Sequence, residues 1–120
     1  MQLVSIIFQD ATGATAGGEV WADHVEWNAR EGDLALVTDL SGKKLLDGLR
    51  DEAFQAVGAL FSCRQDWHFA DGRWTPSPSR MRVTWWLGGV GRQNPDVAVR
   101  VLVDGREVMN LPAPRKEVAA

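Results

Sequence analysis

The sequence predicts an α+β domain, a mainly antiparallel β-sheet with one principal helix packed on a face. Two observations carry that class. Short alternating or continuous apolar runs bounded by Gly, Asn, Asp and Pro occupy residues 1–38 and 67–111, the pattern of strands joined by tight turns. Between them, residues 42–62 repeat apolar side chains every three or four positions, the helical period.

Leu3 to Phe8 is a continuous apolar run and reads as a buried strand. A Gly-rich loop follows, and then Glu19 to Trp27 alternates. Read as one strand, it sets Trp21, Val25 and Trp27 on one face, with Asp23 the polar exception, and Ala22, His24 and Glu26 on the other. Trp21 and Trp27 are therefore expected in the core. Asn28 to Asp33 is a turn and Leu34 to Thr38 a third strand. In the next segment Leu45, Leu46, Leu49, Ala53, Ala56, Val57 and Leu60 line one helical face, with Ser41 as a cap. The competing reading is a hairpin from Leu34 to Leu46, turning at Ser41-Gly42, with a shorter helix starting near Asp51.

From Trp67 the strand signals return. Asp71-Gly72 is a two-residue hairpin turn between Trp67–Phe69 and Arg73-Trp74. Thr75-Pro-Ser-Pro-Ser79 reads as a connector that cannot be a central strand, because proline lacks the N–H a ladder needs. Met81 to Leu87 and Val97 to Val103 are strands, the second continuing past Asp104-Gly105 into Arg106–Leu111. Residues 1–111 are expected to form a single domain and residues 112–120 a loose tail.

The 120 residues are 45% hydrophobic and 24% charged, ordinary globular values. Cys63 is the only cysteine, which rules out an internal disulfide and suits a reducing compartment. No apolar run approaches the ~20 residues that span a bilayer. A cytoplasmic location is the expectation, or a host cytoplasm if the gene is viral, with no membrane partner. The net charge of −3 divides unevenly. Residues 1–60 carry four basic and ten acidic side chains (−6), and residues 61–120 nine and six (+3). Overall acidity argues against duplex nucleic acid as a partner.

Chemical motifs are sparse. Gly13…Gly17-Gly18 lacks the spacing of a phosphate-binding loop, and Gly88-Gly89-Val90-Gly91-Arg92 reads as a hairpin loop, with an anion nest of its amides and Arg92 as the lesser alternative. Two histidines and no GxSxG leave little material for a nucleophilic triad. His24, Glu26, Asp66 and His68 form two His/carboxylate pairs at i, i+2. They would converge as metal ligands of a small enzyme only if their strands were neighbours. No cofactor is expected.

Six tryptophans with no tyrosine are the most informative feature. In an extended segment Met81, Val83, Trp85 and Leu87 point one way, and Arg82, Thr84 and Trp86 the other. The following strand turns Val97, Val99, Val101 and Val103 inward and Ala98, Arg100 and Leu102 outward. Were the two to pair as a hairpin, Arg82, Thr84, Trp86, Arg100 and Leu102 would form one basic and aromatic face. Arg and Trp dominate binding energy at interfaces. The expected function is thus a non-enzymatic protein that binds another protein, or itself as a homo-oligomer, through that face. A second expectation is capture of an anionic, nucleotide-like ligand, with Trp86 stacking and Arg82, Arg92 and Arg100 on phosphates.

Overall fold

The computed structural model describes residues 1–39, 44 and 61–114. It corrects the fold class. Strand accounts for 67% of the described residues, and no helix of seven or more residues is found among them. Of the segment expected to be the principal helix, residues 61 and 62 open a strand, and the rest apart from Lys44 lies outside the described residues, as does the alternative turn at Ser41-Gly42. The layer that covers the sheet is a second sheet.

Among the described residues eight strands run in chain order: β1 (Gln2–Gln9), β2 (Thr15–Ala22), β3 (His24–Asn28), β4 (Asp33–Thr38), β5 (Phe61–Ala70), β6 (Arg73–Trp86), β7 (Ala98–Val103) and β8 (Arg106–Leu111). They form two antiparallel four-stranded sheets, β2-β1-β7-β8 and β3-β4-β6-β5. Their inner faces share one core. The first sheet contributes Val4, Ile6, Phe8, Val20, Ala22, Val99, Val101, Val103 and Met109, and the second Val25, Leu34, Leu36, Val83 and Trp85. Phe8 and Trp85 meet across the layers with ring centroids 5.7 Å apart. Each set keeps the period of two that a strand with one buried face requires.

The expected strand Glu19–Trp27 is two strands in different sheets. The chain leaves the first sheet after Ala22 and enters the second at His24, with Asp23 alone between them. Parity inverts there: Val20 and Ala22 face the core before the break, and Val25 after it. Trp21 is therefore on the outside, 55% exposed, and Trp27 is 43% exposed at the end of its strand. The corner is fastened by the Asp23 N–H donating to the Val37 carbonyl at 2.8 Å, and by Thr38 Oγ1 donating to the Trp21 carbonyl at 2.7 Å. Arg80 Nε reaches Asp23 Oδ2 at 2.8 Å.

The Gly88–Arg92 loop is a crossing between sheets. After β6 the chain makes a 3₁₀ turn (Leu87–Gly89) and a four-residue helix, α1 (Val90–Gln93), before joining β7 in the other sheet. Val90 is fully buried and plugs the end of the core. Gly88 lets the crossing pass the β3–β4 turn: a Cβ there would lie 2.4 Å from the Glu31 carbonyl oxygen. Past β8 the chain stays packed at Ala113, 2% exposed, so the tail expected to be loose from residue 112 begins with an anchored turn. Residues 115–120 lie outside the described residues.

Candidate functional site

β6 is longer than its neighbour β4, which pairs with it only from Met81 to Trp86. Fourteen residues at ~3.3 Å each extend about 46 Å, against principal extents of 56 × 27 × 24 Å. The near half of β6 and the far half of β5 leave the sandwich as a two-stranded arm closed by Asp71 and Gly72, both at positive φ. The expected Pro-rich connector is part of this arm. Proline is tolerated because this stretch of β6 pairs with β5 on one side only; Pro76 lies opposite Trp67. At the root the register shifts between Gln65 and Trp67, so that residues 77–80 of β6 stand against Asp66 alone. Ser79 takes φ +59° there, and His68 Nδ1 lies 2.8 Å from Ser77 Oγ in a hydrogen bond.

The arm has two unlike faces. Its register pairs Trp67 with Pro76, His68 with Thr75, Phe69 with Trp74 and Ala70 with Arg73. Residues opposite one another share a face, as do residues two apart, so Trp67, Phe69, Trp74 and Pro76 stand together. Trp67 is 52% exposed, Phe69 62% and Trp74 66%. Phe69 and Trp74 pack edge to face at 5.6 Å. None of these four was expected as a binding residue. The signal was available: the Asp71-Gly72 turn sets this register, and alternation along it places all four on one side.

Trp85 is 1% and Trp86 45% exposed, on the inner and outer faces of the second sheet. Arg82, Thr84 and Trp86 do share that outer face. Arg100 and Leu102 do not join them, because β6 and β7 are in different sheets. They face outward from the first sheet, where Arg100 borders a shallow hollow of about 580 Å³ and its Nε donates to Glu107 Oε1 at 2.5 Å. Arg92 projects from α1, apart from both faces. The basic and aromatic face expected from a β6–β7 hairpin is thus divided among three places.

The four candidate metal ligands are also dispersed. His24 and Glu26 are on β3, at one edge of the second sheet, and Asp66 and His68 on β5, at the other, with β4 and β6 between. No cluster of three ligating side chains occurs among the described residues. His24 Nε2 instead donates to Glu26 Oε1 at 2.9 Å, and Arg82 lies 3.6 Å from Glu26 Oε2. The His24 hydrogen bond, then the charges of His24 and Arg82, hold the Glu26 carboxyl below its ordinary range.

Arg82 leads back to the arm. Across β6 its register partner is Arg64, so two guanidinium side chains stand opposite each other where the sheet becomes the arm. A hollow of about 280 Å³ there is lined by Arg64, Gln65, Asp66, Trp67, Trp74 and Arg82. Comparison with protein-family models, curated proteins and solved structures finds no significant match, so the chemistry of this surface carries the functional argument. No helix among the described residues is long and apolar enough to cross a membrane.

Proposed function

We propose that this is a non-enzymatic binding protein that docks on another protein, a second copy included, through the aromatic face of its β5–β6 arm. The observation that carries the reading is the shared exposure of Trp67, Phe69 and Trp74 on one side of the projecting ribbon. Aromatic side chains of about 150–250 Å² at 52–66% exposure leave roughly 400 Å² of contiguous apolar surface. Patches of about 300–600 Å² are the largest that typical monomers expose, and such patches are often functional. A standard interface buries about 800 Å² on each partner, so the arm supplies half of one, in the residue types that dominate binding. A lone cysteine suits work in a reducing compartment such as the cytoplasm.

The test compares wild type with Phe69→Ser/Trp74→Ser. Light scattering across a range of concentrations reads self-association, and affinity capture from the native cell reads other partners. The docking reading expects one assembly to be lost in the double variant while its melting temperature and far-UV spectrum persist. A wild-type protein that is monomeric and captures nothing, or a double variant that assembles as well as wild type, refutes it.

A further inference from the structure

The hollow at the root of the arm has a chemistry that docking does not require. Arg64 and Arg82 lie directly opposite on adjacent strands, an arrangement that disfavours the empty sheet because like charges repel. Among the described residues Arg82 pairs with one carboxylate, Glu26, at 3.6 Å. Arg64, an exposed side chain, has no hydrogen-bond or ion-pair partner among the described residues. Residues 61–86 carry Arg64, Arg73, Arg80 and Arg82 against Asp66 and Asp71, a local +2 in a chain of net −3, which leaves −5 for the remainder. Of these four arginines, Arg80 pairs with Asp23 and Arg82 with Glu26, which leaves Arg64 at the root of the arm as the cation beside the hollow.

We infer that this hollow binds a nucleotide unit, with the phosphate held between Arg64 and Arg82 and the base stacked on Trp67 and Trp74. The guanidinium fork matches phosphate oxygens in pairs, and two forks facing one point satisfy their mutual repulsion by sharing an anion. Trp67 and Trp74 are diagonal neighbours on the same face, about 7–8 Å apart by sheet geometry, so one planar ring reaches both. Indole stacks on any base, because every base presents a π-face. Gln65 adds to the lining an amide that donates and accepts, and Asp66 a carboxylate that accepts from sugar hydroxyls and amino groups of base edges. At about 280 Å³ the hollow lies just below the range of drug-sized ligand sites, about 300–1,000 Å³, in keeping with a single small unit. The site differs from the expected one: of Arg82, Arg92, Arg100 and Trp86, only Arg82 takes part.

The same unit is presented by a free mononucleotide and by single-stranded nucleic acid, and one titration separates them. Tryptophan emission of the full chain is followed with adenosine 5′-monophosphate and, separately, with a short oligothymidylate. Saturable quenching by either supports the site. Equal affinity per nucleotide identifies the free ligand, and at least tenfold tighter binding of the oligomer identifies the strand. For the strand, one neutralised phosphate gives a salt slope of about −0.7, or about 2.6-fold weaker binding between 50 and 200 mM salt. Arg64→Gln/Arg82→Gln should weaken binding at least tenfold with unchanged melting, whereas Trp86→Ala should leave it intact. No saturable quenching by either probe, or full affinity in the double glutamine variant, overturns the proposal.

Discussion

Replacing Trp85 by alanine should cost this protein much of its stability, and replacing its neighbour Trp86 should cost little. Trp85 is 1% exposed and touches Phe8 of the facing sheet, so its whole indole has left water. About 250 Å² at ~25 cal/mol/Å² is about 6 kcal/mol as an upper bound on transfer, and Trp→Ala changes in cores cost about 3–5 kcal/mol. A domain of this length has about 6–18 kcal/mol in total, so about a sixth or more is at stake. Trp86 is 45% exposed, at the outer end of its strand, and its removal leaves no closed cavity. Its loss should be about 1–2 kcal/mol. Urea denaturation followed by far-UV circular dichroism gives both values from midpoints at constant slope. A double-mutant cycle with Phe8→Ala should add a coupling of about 0.5–1.5 kcal/mol for the ring pair across the sheets. Equal losses at the two positions, or zero coupling between Trp85 and Phe8, would mean that the sheets do not face each other as described.

Three further outcomes follow from local geometry. Gly17→Ala sets a Cβ 2.0 Å from the Ile6 carbonyl oxygen at φ +153°, whereas at Gly13, φ +87°, nothing lies within 4 Å; the first should lose more than 2 kcal/mol in the same urea assay and the second about 1. His24→Ala should return the Glu26 pKa toward its ordinary value, read by NMR titration of the side-chain carboxyl carbon. Because the folded pKa is depressed, the stabilisation tied to Glu26 is complete above the unfolded pKa and is lost as pH falls through the folded one, and the variant should lack that component of acid sensitivity. Arg80→Ala removes a bridge whose partners are each about a third exposed, so global stability should move by less than ~1 kcal/mol. Amide exchange in residues 77–80 should nevertheless quicken relative to β1.

Much of the framework was legible in the residues. Leu3–Phe8, Leu34–Thr38, Val97–Val103 and Arg106–Leu111 are strands because their apolar periods are unambiguous and their turns carry Gly or Asp, and the Trp85/Trp86 split follows from alternation alone. Alternation reports which residues share a face only while the chain stays in one sheet. At Asp23 it changes sheet without a Gly or Pro to mark the step, so the core face was assigned to the wrong tryptophans. Between Trp86 and Ala98 a Gly-rich stretch of hairpin length makes a crossing instead, and membership of β6 and β7 in one sheet was misjudged with it. Pro76 hid the arm, since proline excludes a central strand but permits a one-sided ribbon. The helical period at 42–62 suggested a helical layer, yet among the described residues two sheets that are each apolar on one side cover one another.

The single-residue step at Asp23 joins the two sheets at a corner where neither can slide against the other without breaking the Asp23–Val37 and Thr38–Trp21 hydrogen bonds. Residues 67–76 stand beyond that corner and carry no member of the shared interior. Variation can therefore rewrite this decapeptide freely. A change of target then needs new side chains within a single hairpin only, while the valines packed between the two sheets stay in place.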